Sequence, residues 1–166
     1  MTVPYAKILL PLDGSQTAVQ ALPHAEAIAA ALGARLILFE VVEDALDIMV
    51  TPSTGSAVGP GGTVGFGAYP PDVVAHTRAM DEAKNFLDDL VATLKHRKIN
   101  AVADIDTGEA ADRIVDYAAD HDVDLIVMST HGRTGVQRWT YGSVAAKVLQ
   151  AAPCPVLVVR PTARHI

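Results

Sequence analysis

The segment from Ser129 to Ser143 contains residue types that suit the binding of a negatively charged ligand. Gly132 and Gly135 allow backbone N–H groups to approach a ligand without a side chain in the way. Gly142 precedes an apolar helical pattern, and the first N–H groups of a helix lie at the positive end of its dipole. These features together predict a binding site for an anion.

The charge of this segment differs from that of the chain as a whole. The 166 residues have a formal net charge of -6, yet the segment contains Arg133 and Arg138 and no carboxylate. A bound phosphate would explain the two arginines. The alternative is that Gly142 and Ser143 simply cap a helix, since glycine-bearing loops between strands and helices are common. Spacing alone does not decide between these interpretations.

Two common phosphate-binding motifs are absent from the sequence. Gly142 and Ser143 are followed by Val-Ala-Ala, and Lys147 comes a turn later, so the segment is not a G-x-x-x-x-G-K-[ST] loop. No G-x-G-x-x-G follows the first apolar run. A P-loop NTPase and a standard dinucleotide dehydrogenase are therefore disfavoured. The segment lacks that lysine and a clear general base. Hydrolysis of a bound phosphate compound is therefore expected to be slow, and no catalytic residue is assigned.

The elements that would position this segment follow from hydrophobic patterning. Apolar runs rich in branched residues predict five strands, at residues 6–11, 35–42, 101–105, 124–128 and 155–160. Helical periodicity predicts helices between them, namely one capped by Ser15 and ended by Gly33, one over 73–97, one that opens at Thr107 and one over 143–151. Strands that alternate with helices predict an α/β fold, a doubly wound parallel sheet with helices on both faces. The length suits a single domain over 1–166.

Residues 43–72 break this pattern. They are dense in Gly, Pro, Ser and Thr and show no periodicity, which predicts a long flexible insert after the second strand. Such inserts in compact domains serve as lids, as partner-binding segments or as disordered loops.

Composition excludes several classes of protein. Hydrophobic residues make up 50% and aromatics 5%, so a core of Val, Ile, Leu and Ala is expected. The acidic balance argues against a nucleic-acid partner. No signal peptide or bilayer-length apolar run is present, and the single Cys154 cannot form an internal disulfide, so we expect a cytoplasmic protein with no membrane partner. The scattered histidines have no metal-ligand spacing.

The spacing of the glycine-containing segment resembles that of the universal stress protein family. That family carries G-x2-G-x9-G-[ST], and here the register runs Ser129-x2-Gly132-x9-Gly142-Ser143, with serine in place of the first glycine. The resemblance extends through YAKILLPLDGS, DLIVMSTHGRTG and GSVAAKVLQAAPCPVLVV. It covers nearly the whole chain apart from the insert.

The resemblance implies a sheet of order 3-2-1-4-5 and a site for ATP, with or without Mg²⁺, where the strand order reverses. It implies that residues ending the first two strands hold the adenosine and that the glycine-containing segment holds the phosphates. The positions carried over from the family are Pro11, Leu12, Asp13, Val41, Met128, Gly132, Gly142, Ser143 and Val144. The predicted ATP site also includes Ser129, His131, Arg133 and Gly135 of the same segment. Taken alone, Asp13 could equally be a turn or helix-cap residue.

The resemblance also implies a homodimer in which the last strand pairs across a two-fold axis. Its predicted seam consists of Pro155, Val156, Leu157, Val158 and Val159. The implied function is that of an ATP-binding regulatory module in stress response. Two alternatives stay open: a slow ATPase or autophosphorylating enzyme, with Ser143 or Thr134 as acceptor, and a nucleotide-free member that acts by dimerisation.

Overall fold

A computed structural model describes residues 5–43, 71–130 and 142–161. The described residues form one sheet of five parallel strands, in the order β3-β2-β1-β4-β5. The strands are β1 (Lys7–Leu12), β2 (Arg35–Val42), β3 (Ala101–Thr107), β4 (Leu125–Ser129) and β5 (Val156–Val159). The predicted fold class and strand order are confirmed.

The helices connect these strands on both faces of the sheet. They are α1 (Gln16–Val19), α2 (Leu22–Leu32), α3 (Pro71–His96), α4 (Ala110–Asp120) and α5 (Ser143–Ala151). Helix α3 begins inside the predicted insert of 43–72, and residues 44–70 of that insert lie outside the described residues. The predicted extent of α5 is confirmed.

The prediction of one continuous helix between Ser15 and Gly33 is wrong, because this stretch forms both α1 and α2. Pro23 lies in the first turn of α2. It has no N–H to donate, and its ring would clash with the carbonyl of the residue four positions earlier, so the helix cannot run through it. Both predicted ends are correct: the Ser15 side chain accepts from the Ala18 N–H, and Gly33 closes α2 in the left-handed region at φ 67.

Alternation along the strands divides the apolar side chains between two cores. Ile8 and Leu10 of β1 pack in the core that α1, α2 and α3 cover, and Leu9 packs in the core that α4 and α5 cover. Both faces of β1 are fully buried, as expected for a central parallel strand. The sheet thereby holds the carboxyl ends of β2, β1 and β4 side by side.

Candidate functional site

The strand order reverses between β1 and β4. From β1 the chain crosses to β2 and then β3 on one side, and β4 returns to pair with the other side of β1. Connections that leave neighbouring strands in opposite directions open a crevice beyond their carboxyl ends. A cavity of about 660 Å³ lies there, lined by residues of β1, β2, β4, α3, α4 and α5.

The turn after β1 forms one wall of this cavity. The Asp13 carboxylate accepts a hydrogen bond from the Ser15 N–H at 3.0 Å, and Gly14 adopts a positive φ of 72. The Ser15 hydroxyl in turn caps α1 by accepting from the Ala18 N–H at 3.1 Å. Asp13 is therefore a turn residue, and it also lines the cavity. Its role toward a ligand stays a prediction.

The end of β4 and the start of α5 form the opposite wall. The Thr130 N–H donates to the Val159 carbonyl at 3.0 Å, and the Gly142 N–H donates to the Thr130 carbonyl at 2.7 Å. Gly142 is the N-cap of α5, with φ -56 and ψ 154, and makes no side-chain cap hydrogen bond. Since Ser143 and Val144 also line the cavity, the N-terminal turn of α5 faces it.

A third wall consists of β2 and α3. Val41 and the buried Glu40 contribute from β2, while Ala83 and Phe86 contribute from α3. Of these four, only Val41 was predicted, and that prediction came from the resemblance to the family. Glu40 could have been found, because it is a lone carboxylate in the apolar run RLILFEVV. The α3 residues gave no such signal, since a long segment without periodicity separates them from β2.

All of the predicted binding residues within the described part of the chain line this one cavity. They are Pro11, Leu12, Asp13, Val41, Met128, Ser129, Gly142, Ser143 and Val144. The other four, His131, Gly132, Arg133 and Gly135, lie outside the described residues. That these positions bind ATP stays a prediction.

The charged side chains among the described lining residues are all carboxylates: Asp13, Glu40, Glu43 and Glu82. Asp13 follows β1, Glu40 lies on β2, Glu43 follows β2 and Glu82 lies on α3, whereas α5 begins beyond the end of β4. A phosphate group is therefore favoured at α5 and disfavoured at β2. In the described ranges no group of three or more His, Cys, Asp or Glu residues could hold a metal ion. Nor is any helix there long and apolar enough to span a bilayer.

Lys147 of α5 does not line the cavity. Its ammonium group donates to Glu109 at 2.7 Å, and Glu109 caps α4 by accepting from the Asp112 N–H at 3.0 Å. The hydrogen bond from Lys147, followed by that from the Asp112 N–H, lowers the pKa of Glu109; the same pairing raises the pKa of Lys147. This ion pair joins the N-terminal turn of α4 to α5 and serves the positioning of the two helices.

Cys154, the single cysteine, is partly buried beside β5. Burial is the main cause that raises the pKa of its thiol, and the nearby Asp124 adds to the effect. A raised pKa leaves little thiolate at neutral pH, so this thiol lacks the property that makes cysteines reactive.

Comparison with known proteins matches the universal stress protein family model over residues 4–59 and 63–160. Universal stress protein MJ0577 of Methanocaldococcus jannaschii is 30% identical over 160 residues, which are 96% of this chain and 98% of that protein. A solved structure of MJ0577 superposes with a TM-score of 0.77 at 28% identity, covering 96% of this chain and 99% of that one.

Two further solved structures share the fold and were determined with nucleotides. A universal stress protein in complex with cAMP has a TM-score of 0.66 at 21% identity, with 96% of this chain and 99% of that chain covered. A family protein from Arabidopsis thaliana with AMP bound has a TM-score of 0.63 at 18% identity, with 95% and 93% covered. The match of the family model over nearly the whole chain means that this protein belongs to the universal stress protein family.

Proposed function

We propose that this protein is an ATP-binding regulatory module in stress response, with at most slow hydrolysis. The observation that carries the proposal is the cavity where the strand order reverses, with the N-terminal turn of α5 at one end. Its volume of about 660 Å³ lies within the range of small-molecule and cofactor sites. Family members solved with AMP and cAMP support a nucleotide as its ligand.

The proposed ligand lies along the carboxyl edge of the sheet. Its adenosine contacts the ends of β1 and β2, where Asp13 and Val41 line the cavity. Its phosphates contact the N-terminal turn of α5, which offers backbone N–H groups and the positive end of a helix dipole. Adjacent strands are about 4.8 Å apart, so β2 and β4 lie roughly 10 Å apart across β1, a span that suits a nucleotide.

The acidic wall of the cavity supports a role for a cation in this proposal. ATP is strongly negative, and the carboxylates of Asp13, Glu40, Glu43 and Glu82 line the same space. Mg²⁺ bound to the phosphates would reduce this repulsion, and Arg133 and Arg138 of the sequence supply positive charge next to the motif. The proposed cofactor is therefore ATP with Mg²⁺.

We also propose a cytoplasmic homodimer that forms through β5. Among the strands that the structure describes, β5 pairs with β4 alone, and its other edge has no described neighbour. The strand is apolar, and Leu157 is 38% exposed. The opposite edge strand, β3, carries Asp104 and Asp106, and charges discourage pairing between sheet edges. This asymmetry favours β5 as the seam.

The proposal of a binding module is supported by the sequence of the motif. It lacks the lysine of a P-loop and a clear general base. Phosphoryl transfer depends on positioned cations and on a group that orients the nucleophile. The slow ATPase, the autophosphorylating enzyme and the nucleotide-free dimer are the alternatives that an experiment must separate.

The experiment measures the nucleotide released by denaturing freshly purified protein, followed by incubation of stripped protein with labelled ATP and Mg²⁺. The proposal expects nearly one adenine nucleotide per chain and retention of ATP without rapid turnover. Sustained release of ADP would indicate an ATPase, and label that survives denaturation would indicate autophosphorylation. Protein that neither carries nor rebinds nucleotide would be the nucleotide-free form and would refute the proposal.

A further inference from the structure

Glu40 is a buried carboxylate on β2 that the positions matched to the nucleotide motif do not include. Its side chain is 4% exposed and lines the cavity at the carboxyl edge of the sheet. It lies beside Leu12 of β1, its partner in the parallel register. Successive side chains of a strand point to opposite faces of the sheet, so Glu40 lies on the same face as Leu36 and Leu38 and on the opposite face from Phe39.

The surroundings of Glu40 are mostly apolar and small. On its face of the sheet the cavity is lined by Leu12, by Ala18 of α1, and by Ala83 and Phe86 of α3. Ala18 and Ala83 are each 5% exposed, so α1 and α3 pack closely against this part of the cavity. A carboxylate in such a place loses hydration, and an apolar residue would fit the strand pattern of β2 at lower cost.

The chemistry of a carboxylate limits what it can recognise. When ionised it only accepts hydrogen bonds, so it favours a ligand group with an N–H or O–H and repels phosphate. Glu40 lies on β2, and β1 separates β2 from β4, whose end is hydrogen-bonded to the start of α5. In the orientation proposed above, the nucleoside half of the ligand faces this position. Nucleosides carry such donors as a base amino group and as ribose hydroxyls.

We propose that Glu40 is a specificity-determining residue whose carboxylate accepts a hydrogen bond from an N–H or O–H group on the nucleoside half of the bound nucleotide. This inference rests on the proposed function. Hydrogen bonds to a buried charged group typically change affinity by roughly 10- to 100-fold. Glu40 therefore discriminates among nucleotides, whereas the N-terminal turn of α5 recognises the phosphates that all of them share.

The test is calorimetric titration with three ligands: ATP, purine riboside triphosphate, which lacks the base amino group, and 2′-deoxy-ATP, which lacks one ribose hydroxyl. The unsubstituted protein is expected to bind one of the two analogues roughly 10- to 100-fold more weakly than ATP. The analogue whose weaker binding disappears in Glu40→Leu identifies which donor Glu40 recognises. Equal affinities for all three ligands would overturn the inference and leave nucleotide binding intact.

Glu40→Leu is expected to bind ATP as weakly as that analogue and to lose the discrimination. Glu40→Gln keeps a carbonyl acceptor at the same position and is expected to retain part of it. Discrimination unchanged in Glu40→Leu would overturn the inference. If Glu40→Leu does not fold, the same three affinities are measured for Glu40→Gln. A difference between ATP and the analogue as large as that of the unsubstituted protein would then overturn the inference.

Two controls separate this role from a structural one. Glu26→Gln makes the same change in a carboxylate that pairs with Arg97 and does not line the cavity, and it is expected to leave all three affinities unchanged. Thermal unfolding of ligand-free Glu40→Leu measures how much Glu40 contributes to the stability of the fold itself. A lower unfolding temperature with unchanged discrimination would assign Glu40 to fold stability alone. Absence of binding by the unsubstituted protein would refute the proposed function as well.

Discussion

The backbone N–H of Gly142 donates to the carbonyl oxygen of Thr130 at 2.7 Å. This bond ties the start of α5 to the end of β4, the strand that pairs with β1. This main-chain bond helps to hold the N-terminal turn of α5 at the edge of the sheet where the turn that contains Asp13 also lies. A side-chain substitution at Gly142 leaves the bond in place, which makes it an informative test of ligand binding.

Gly142→Asp is expected to separate fold stability from phosphate binding. The backbone at Gly142 has φ -56, which any residue can adopt, and aspartate is a better N-cap than glycine by a few tenths of a kcal/mol. The unfolding temperature should therefore hold or rise slightly. The new carboxylate would occupy the first-turn N–H groups and repel phosphate, so calorimetry should show ATP affinity at least about 100-fold lower.

Gly142→Ala is the matched control for that substitution, because it adds a side chain without charge or capping ability. Its ATP affinity should fall less than that of Gly142→Asp. Affinity equal to that of the unsubstituted protein in the aspartate variant would mean that phosphate does not bind at α5.

Asp13→Asn is expected to preserve the turn and weaken ATP binding. The asparagine oxygen can still accept from the Ser15 N–H, so the free energy of unfolding should change little. Loss of the negative charge weakens any hydrogen bond that a ribose hydroxyl donates there, and affinity should fall about tenfold in calorimetry. Asp13→Ala should also lower stability by about 1 kcal/mol, because the turn hydrogen bond is lost. Unchanged affinity in both variants would leave Asp13 a turn residue only.

Val158→Pro is expected to convert the proposed homodimer to a monomer. The carbonyls of Pro155 and Val159 accept from β4, so alternation directs the backbone groups of Val158 to the open edge of β5. Proline removes the N–H on that side and spares the bonds to β4. Light scattering after size-exclusion chromatography should report half the mass of the unsubstituted protein.

Leu157→Pro is the matched control for the edge substitution, because the Leu157 backbone points toward β4 and proline there should destabilise the fold itself. A Val158→Pro variant that keeps its fold and the dimer mass would exclude β5 as the seam.

Ionisation of the Tyr117 hydroxyl should lower the free energy of unfolding at alkaline pH. Burial, together with its hydrogen bond to Asp104 at 3.0 Å, raises the pKa of Tyr117 to about 12 from 10.0. The neutral form is thus favoured in the folded state, so this contribution is fully present below pH 10 and is lost between about pH 10 and pH 12. In a titration followed by tyrosinate absorbance, one tyrosine should ionise in a separate step at high pH. Tyr117→Phe should remove that step. If the step that Tyr117→Phe removes lies near pH 10, the raised pKa of Tyr117 is contradicted.

Strands β1, β2, β4 and β5 were predictable from the sequence because they are largely apolar runs rich in branched residues. The segment Pro-Leu-Asp-Gly after the first strand and the segment that begins at Ser129 were both predicted to lie where the strand order reverses. They form two walls of the cavity. The division of α1 from α2 was missed because apolar spacing continues across Pro23. Residues that reach the cavity from α3, such as Phe86, were missed because helical periodicity tells which face is apolar and not which turn meets a site.

The most direct test is calorimetric titration of nucleotide-stripped protein with ATP in the presence of Mg²⁺. We expect saturable binding of one ATP per chain that Gly142→Asp abolishes while the variant stays folded. No heat at high ATP concentration, from protein that carried no nucleotide when purified, would contradict the assignment of the cavity to a nucleotide.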